Sequence, residues 1–172
     1  MKKILLLSDT HGYIDDAILK HASEADEIWH AGDIGDIALT DALQKITTVR
    51  AVYGNIDNHI VRSVWPENNF FVCEGLKVLI THIAGYPGKY ATRAKQLIAE
   101  HRPGLFICGH SHLLKVMKDQ KYGHLHMNPG AAGTHGFHLM RTMIRFRVED
   151  GSIKVPEVIE LGKRGALPQT VS

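Results

Sequence analysis

The first third of the chain alternates short apolar runs with segments whose apolar positions recur at helical spacing. Lys3 to Ser8, Glu27 to Ala31 and Thr48 to Tyr53 read as strands, with helices over Tyr13 to Ala22 and Leu39 to Ile46 between them. That alternation builds βαβ units and a parallel sheet. Each strand runs into a polar loop containing glycine: Ser8-Asp9-Thr10-His11-Gly12, Gly32 to Asp36, and Gly54-Asn55-Ile56-Asp57. In open α/β sheets, ligands bind at such strand ends.

The second half is richer in strands. Asn69 to Cys73 and Leu76 to Thr81, joined by Glu74-Gly75, form the pattern of a hairpin. A helix from about Gly88 to His101 ends at Arg102-Pro103-Gly104. Strands are then predicted near Leu105 to Cys108, Leu113 to Lys118, Gly123 to Met127, Arg141 to Val148 and Ile153 to Leu161, the last two turning at Glu149-Asp150-Gly151-Ser152. The simplest assembly is two packed sheets with helices outside, as one globular unit over residues 1–161. Gly162 to Ser172 lacks periodicity and reads as a loose tail.

Composition narrows this little until histidine is counted. The 172 residues include 44% hydrophobic ones, enough for one sizeable core, and 20 Lys and Arg nearly balance 18 Asp and Glu. The net charge of +2 points to no nucleic-acid or membrane partner. The apolar run Ile4 to Leu7 is too short for a signal segment or a membrane span, so a cytoplasmic protein is expected. Cys73 and Cys108 sit in apolar runs without a CxxC pair and read as buried reduced thiols. The twelve histidines are internal and partly grouped, as in Gly109-His110-Ser111-His112, His124-Leu125-His126 and His135-Gly136-Phe137-His138. Imidazole is the commonest side-chain metal ligand and a near-neutral acid or base.

The metal-competent side chains that follow apolar runs are Asp9, His11, Asp33, Asn55, His82, His110 and His112. Each fragment alone is weak, since Asp-x-His pairs and single strand-end histidines are common. Five loops supplying such groups on one sheet edge are not readily accidental. Carboxylate, amide and imidazole together suit borderline divalent ions, and the lack of a cysteine ligand argues against a structural zinc site.

In order, Asp9-Thr10-His11, Gly32-Asp33, Gly54-Asn55-Ile56-Asp57, Thr81-His82 and Gly109-His110-Ser111-His112 resemble the signature of the calcineurin-like metallophosphoesterases, and within them the small phosphodiesterases of the YfcE type. The resemblance spans about Lys2 to Val148. It implies a four-layer α/β/β/α sandwich of two mixed sheets flanked by helices. It also implies a dinuclear centre with one metal on Asp9, His11 and His112, the other on Asn55, His82 and His110, and Asp33 bridging them. By the same resemblance the protein hydrolyses a small phosphodiester by attack of a hydroxide bridging two divalent metals, drawn from Mn, Ni, Fe, Co or Zn with Mn favoured. Self-association as a dimer or tetramer is a family-level expectation, and nucleic acid is not an expected partner. The competing reading is a non-catalytic protein-interaction scaffold of the same fold, as in retromer-associated relatives, where the metal ligands tend to be eroded. All seven ligand types stand here.

Two departures bear on mechanism. Many relatives have a histidine directly after the metal-binding Asn, serving the transition state or the leaving group, and here Ile56 stands there. His59 and His135 are candidate replacements, with solvent-exposed loop histidines as the alternative for each. Asp57 is expected to orient a ligand by a hydrogen bond rather than to act as the acid. His82 is followed by Ile83-Ala84-Gly85 where the family often has an immediate glycine. Asn128, in Asn128-Pro129-Gly130, resembles a family loop residue and is a candidate substrate contact. Asp36 is expected to cap a helix, and His30 to sit behind the metal loop or serve as a satisfied core histidine.

Overall fold

A computed structural model describes residues 1–165. The elements are β1 (Lys2–Leu7), α1 (Asp16–Ser23), β2 (Glu27–His30), α2 (Ile37–Gln44), β3 (Thr48–Ala51), α3 (His59–Val64), β4 (Asn68–Cys73), β5 (Leu76–Thr81), α4 (Thr92–His101), β6 (Leu105–Ile107), β7 (Leu114–Lys118), β8 (Leu125–Pro129), β9 (Met140–Glu149) and β10 (Ser152–Lys163). They form two five-stranded mixed sheets, ordered β10-β9-β1-β2-β3 and β4-β5-β6-β8-β7. Strands β1, β2 and β3 pair in parallel, as do β5, β6 and β8, so both sheets send several strand ends toward one edge.

The side-chain period of two along a strand explains the layering. In β1, Ile4 and Leu6 enter the core between the sheets, whereas Leu5 and Leu7 enter a second core under α1, α2 and α3. Fully burying each such aliphatic side chain contributes roughly 1.5–3 kcal/mol. A third core, with Leu79, Phe106, Ala94 and Ile98, seals α4 onto the outer face of the other sheet. Helices therefore cover both outer faces, which gives the expected four layers.

Helix starts follow local capping chemistry. The side chain of Asp15 accepts the Ile18 N–H at α1, and Asp36 accepts the Ala38 N–H at α2, so Asp36 is a cap as anticipated. Helix α3 was not anticipated. Its six residues, His59-Ile60-Val61-Arg62-Ser63-Val64, are rich in β-branched side chains with poor helix propensity. Asn58 Oδ1 accepts the N–H groups of Ile60 and Val61, and burial of Val61 holds the turn down.

Several boundaries differ from the sequence reading, among them the start of α1, which lies at Asp16 rather than Tyr13. Helix α4 begins only at Thr92, after a turn around Lys89. Strand β8 runs from Leu125 through Pro129, so Asn128 lies in a strand rather than a loop. Strand β10 continues to Lys163, with Gly162 paired to Arg141 and Lys163 to Met140 beyond an irregularity in register. Gly162 and Lys163 are thus strand rather than tail, and the rest of the predicted tail from residue 166 lies outside the described residues. His124 and His126 are both buried, and the Tyr90 hydroxyl lies 2.9 Å from His124 Nε2 and 2.8 Å from His126 Nδ1. Among the described residues no helix is long and apolar enough to cross a membrane.

Candidate metal centre

The seven strand-end side chains meet at one edge. Among the described residues, Asp9, His11 and His112 offer ligand atoms all within 4.8 Å of one another, and so do Asp33, His82 and His110. The two groups adjoin: Asp33 Oδ2 is 3.2 Å from His82 Nε2 and 3.6 Å from His11 Nε2. Asn55 Oδ1 lies 3.1 Å from His110 Nδ1, which brings the amide to the second group. His11, Asp33, Asn55, His110 and His112 line a cleft of about 340 Å³, while Asp9 and His82 are buried.

The backbone is bent to achieve this. Asp9, His11, Asp33, His110 and His112 all have φ between +46° and +71°, the left-handed region that non-glycine residues seldom occupy. Each costs roughly 1–2 kcal/mol, and such strain gathers where function dictates geometry. Two glycines make room. A Cβ on Gly32, whose φ is +100°, would fall 2.6 Å from His82 Nδ1, and one on Gly54 would fall 2.1 Å from Asp33 Oδ1.

Each buried ligand candidate has one polar atom engaged by the protein and another left free. Asp9 Oδ2 accepts the Ser8 hydroxyl at 2.7 Å and the His110 N–H at 3.1 Å, while Oδ1 has no hydrogen-bond partner. His82 Nδ1 donates to the Ala31 carbonyl at 2.7 Å, so in the neutral ring Nε2 is the nitrogen with a lone pair, and it has no hydrogen-bond partner. Asp33 Oδ1 accepts the Ile56 N–H at 3.1 Å, and Oδ2 points between His11 and His82. His11 Nε2 is likewise buried and unpartnered. His112 Nε2 approaches Asp9 Oδ1 to 3.2 Å. Orphaned acceptors facing one another are costly without a cation and suited to one. The residues present therefore fit divalent metal ions.

Electrostatics follow from this crowding. Burial pushes the His11 imidazole below its ordinary value despite Asp33 and Asp9 nearby. For His82, burial lowers the pKa, but Asp33 and Asp9 outweigh it and raise the value overall. Burial raises the Asp33 carboxyl, yet the His82 interaction and the Ile56 N–H bring it below its usual value.

A supporting layer holds the loops. His30 is fully buried, accepts the Gly32 N–H on Nδ1 and so donates from Nε2 to Thr10 Oγ1, whose hydroxyl donates to the Ile34 carbonyl. Burial lowers its pKa to about 4, consistent with a neutral ring. Asp57 accepts three backbone N–H groups, from Ile34, Gly35 and Gly54, and so ties the loop after β2 to the loop after β3. Arg62, on α3, donates to the carbonyls of Asp57, Gly54 and Asn55. Asn128 donates to the Gly109 carbonyl at 3.0 Å and to Ser111 Oγ at 3.1 Å, which braces the turn carrying His110 and His112 from behind.

The remaining candidates separate. His135 lines the cleft and packs against His11 with ring centroids 4.7 Å apart and the planes tilted by 32°. His59 is exposed on the first turn of α3 and does not line the cleft. Asn128 is buried behind the cleft rather than lining it. Ile56 lines the cleft where a histidine was looked for. Sequence reasoning missed Arg62, because the helix carrying it was not foreseen. It also missed His138, a buried cleft-lining ring whose edge meets His112 at 5.2 Å and whose Nε2 bonds the Gly133 carbonyl. The grouping of histidines in His135-Gly136-Phe137-His138 was its one available signal.

Comparison with known proteins agrees with this geometry. A curated probable metallophosphoesterase of Methanocaldococcus jannaschii is 27% identical over 151 residues, covering 84% of this chain and 75% of that protein. Among solved structures, an archaeal phosphodiesterase superposes with a TM-score of 0.69 at 20% identity, over 92% of this chain and 99% of that one. Vps29 of Entamoeba histolytica in complex with Zn²⁺ superposes with a TM-score of 0.69 at 17% identity, over 92% and 98% of the two chains. The sequence profile of the calcineurin-like phosphoesterase superfamily domain matches residues 1–151, and the chain belongs to that superfamily.

Proposed function

We propose that the protein is a phosphodiesterase whose catalytic centre takes two divalent metal ions, with Mn²⁺ favoured over Ni, Fe, Co and Zn. Asp9, His11 and His112 would hold one and Asn55, His82 and His110 the other, with Asp33 available to both. The observation carrying this reading is that Asp9, Asp33 and His82 each spend one polar atom on the protein and aim the other into a shared space. Two such ions, when bound, supply Lewis acidity toward phosphate and an acidified water at neutral pH.

The chain's own residues set the rest. Asp33, whose Oδ2 lies between His11 and His82, would offset the repulsion of two close cations. The cleft of about 340 Å³ has the size of a small-molecule site, which supports a small substrate. Among the described residues its lining carries no Lys or Arg with which to track a nucleic-acid backbone. Of the two histidines considered as proton donors to the leaving group, His135 is the one at the cleft. The superfamily supports phosphoester chemistry, and the archaeal phosphodiesterase of the same fold supports the diester.

A second reading is a protein-interaction scaffold, favoured by the Vps29 likeness. Because a Vps29 of this fold has been seen with Zn²⁺, metal binding alone does not separate the two. Hydrolysis does. Chelator-stripped protein reloaded with each metal in turn is expected to hydrolyse bis(p-nitrophenyl) phosphate faster than p-nitrophenyl phosphate. Metal binding without hydrolysis of either ester would favour the scaffold.

A further inference from the structure

Three large apolar side chains stand exposed around the cleft: Ile56 at 46%, Leu113 at 64% and Phe137 at 99% relative exposure. Single exposed apolar residues are ordinary on protein surfaces, but three lining one small cleft form a local apolar rim. Their placement is tied to the loops that form the centre. The Ile56 N–H donates to Asp33 Oδ1 at 3.1 Å, so its position is fixed beside that carboxylate. The Leu113 N–H donates to Ser111 Oγ at 3.2 Å, directly after His112. Phe137 lies two residues from His135, a cleft-lining ring that packs against His11 at a tilt of 32°.

The charged complement is one-sided. No Lys or Arg lines the cleft, and residues 166–172, outside the described part, contain neither in their sequence. A substrate arm bearing a second phosphate or a carboxylate would meet no Lys or Arg among the lining residues. A phosphodiester carries one negative charge at the phosphate, and its ester arms extend beyond it. An arm that is flat and uncharged gains by covering Phe137 and Leu113, and aromatic pairing adds to the area buried.

We propose that Ile56, Leu113 and Phe137 bind an uncharged, flat apolar ester group, such as an aryl ring, and so select phosphodiesters bearing one. This rests on the phosphodiesterase reading for its catalytic consequence. The test is calorimetric binding of diphenyl phosphate and dimethyl phosphate to the Mn²⁺-loaded protein, for wild type, Leu113→Ser and Phe137→Ser. Both residues are largely exposed, so the substitutions leave the cores intact. Diphenyl phosphate is expected to bind roughly tenfold tighter than dimethyl phosphate, and each substitution to remove most of that advantage. Equal affinities for the two diesters, or an advantage untouched by both substitutions, would overturn the proposal. Hydrolysis of bis(p-nitrophenyl) phosphate, measured alongside, separates the two claims. An aryl preference without hydrolysis upholds the rim and removes the enzyme, and hydrolysis without the preference does the reverse.

Discussion

At the residue scale, Asp33 and Asp36 share one short loop, Gly32-Asp33-Ile34-Gly35-Asp36, and do different work. Asp33 faces His11 and His82, whereas Asp36 caps α2 through the Ala38 N–H. Asp33→Asn is expected to lower metal-dependent hydrolysis by more than roughly 100-fold, since even partners behind a ligand typically cost 10- to 100-fold. Asp36→Ala should keep its metal and lose about 1 kcal/mol of stability by denaturant melting. Metal analysis and melts on the two variants check both outcomes. Asn128 is the test of the supporting layer. With its amide removed in Asn128→Ala, the turn holding His110 and His112 loses its brace, and metal affinity measured by calorimetry should fall roughly 10- to 100-fold.

At the element scale, the centre depends on loops from different strands being fastened together. Asp57 does this with three backbone N–H groups, and Asp57→Ala would strand all three, at a cost on the order of 3 kcal/mol or more in unfolding free energy. A second fastening lies at the other end of the parallel strands. Glu27 on β2 is buried and takes hydrogen bonds from Lys2 on β1, Arg50 on β3 and the Trp29 indole. Burial raises its pKa, but those donors outweigh burial and lower it from 4.5 to about 2. A depressed carboxyl stabilises the fold above its unfolded value and loses that contribution as pH falls from about 4.5 toward 2, an effect on the order of 3 kcal/mol. Acid titration of stability should show that loss in wild type and not in Glu27→Gln.

These elements also show what the sequence could and could not reveal. Strands β1, β2 and β3 were legible because each is an apolar run ending in a glycine-containing polar loop, where Asp9, His11, Asp33 and Asn55 stand, and His82, His110 and His112 follow the apolar runs of β5 and β6 in the same way. Helix α3 was not, because its β-branched residues argue against a helix and only the Asn58 cap and the burial of Val61 hold it; Arg62 was hidden with it. The end of β10 was hidden because Gly162 reads as a breaker, while pairing with β9 resumes past an irregularity. His138 touches His112 only through the tertiary fold, so no spacing announces it.

At the scale of the whole molecule, the layered cores hold five non-glycine residues in left-handed backbone at a single edge, with carboxylates and imidazoles facing one another. The left-handed backbone and the unpartnered buried atoms Asp9 Oδ1, His11 Nε2 and His82 Nε2 are unfavourable alone and would be offset by bound cations, so metal binding should be linked to global stability. With free metal at about 100 times its dissociation constant the linkage is about 2.7 kcal/mol per ion, and chelation of both ions should lower Tm by roughly 10–20 °C. The sharing of Asp33 between two ions is the central claim, and electron paramagnetic resonance of Mn²⁺-loaded protein tests it most directly. Two ions bridged by one carboxylate should give the spectrum of an exchange-coupled pair, lost in Asp33→Asn. A spectrum of isolated Mn²⁺ in wild type at saturating metal, unchanged by that substitution, would contradict it.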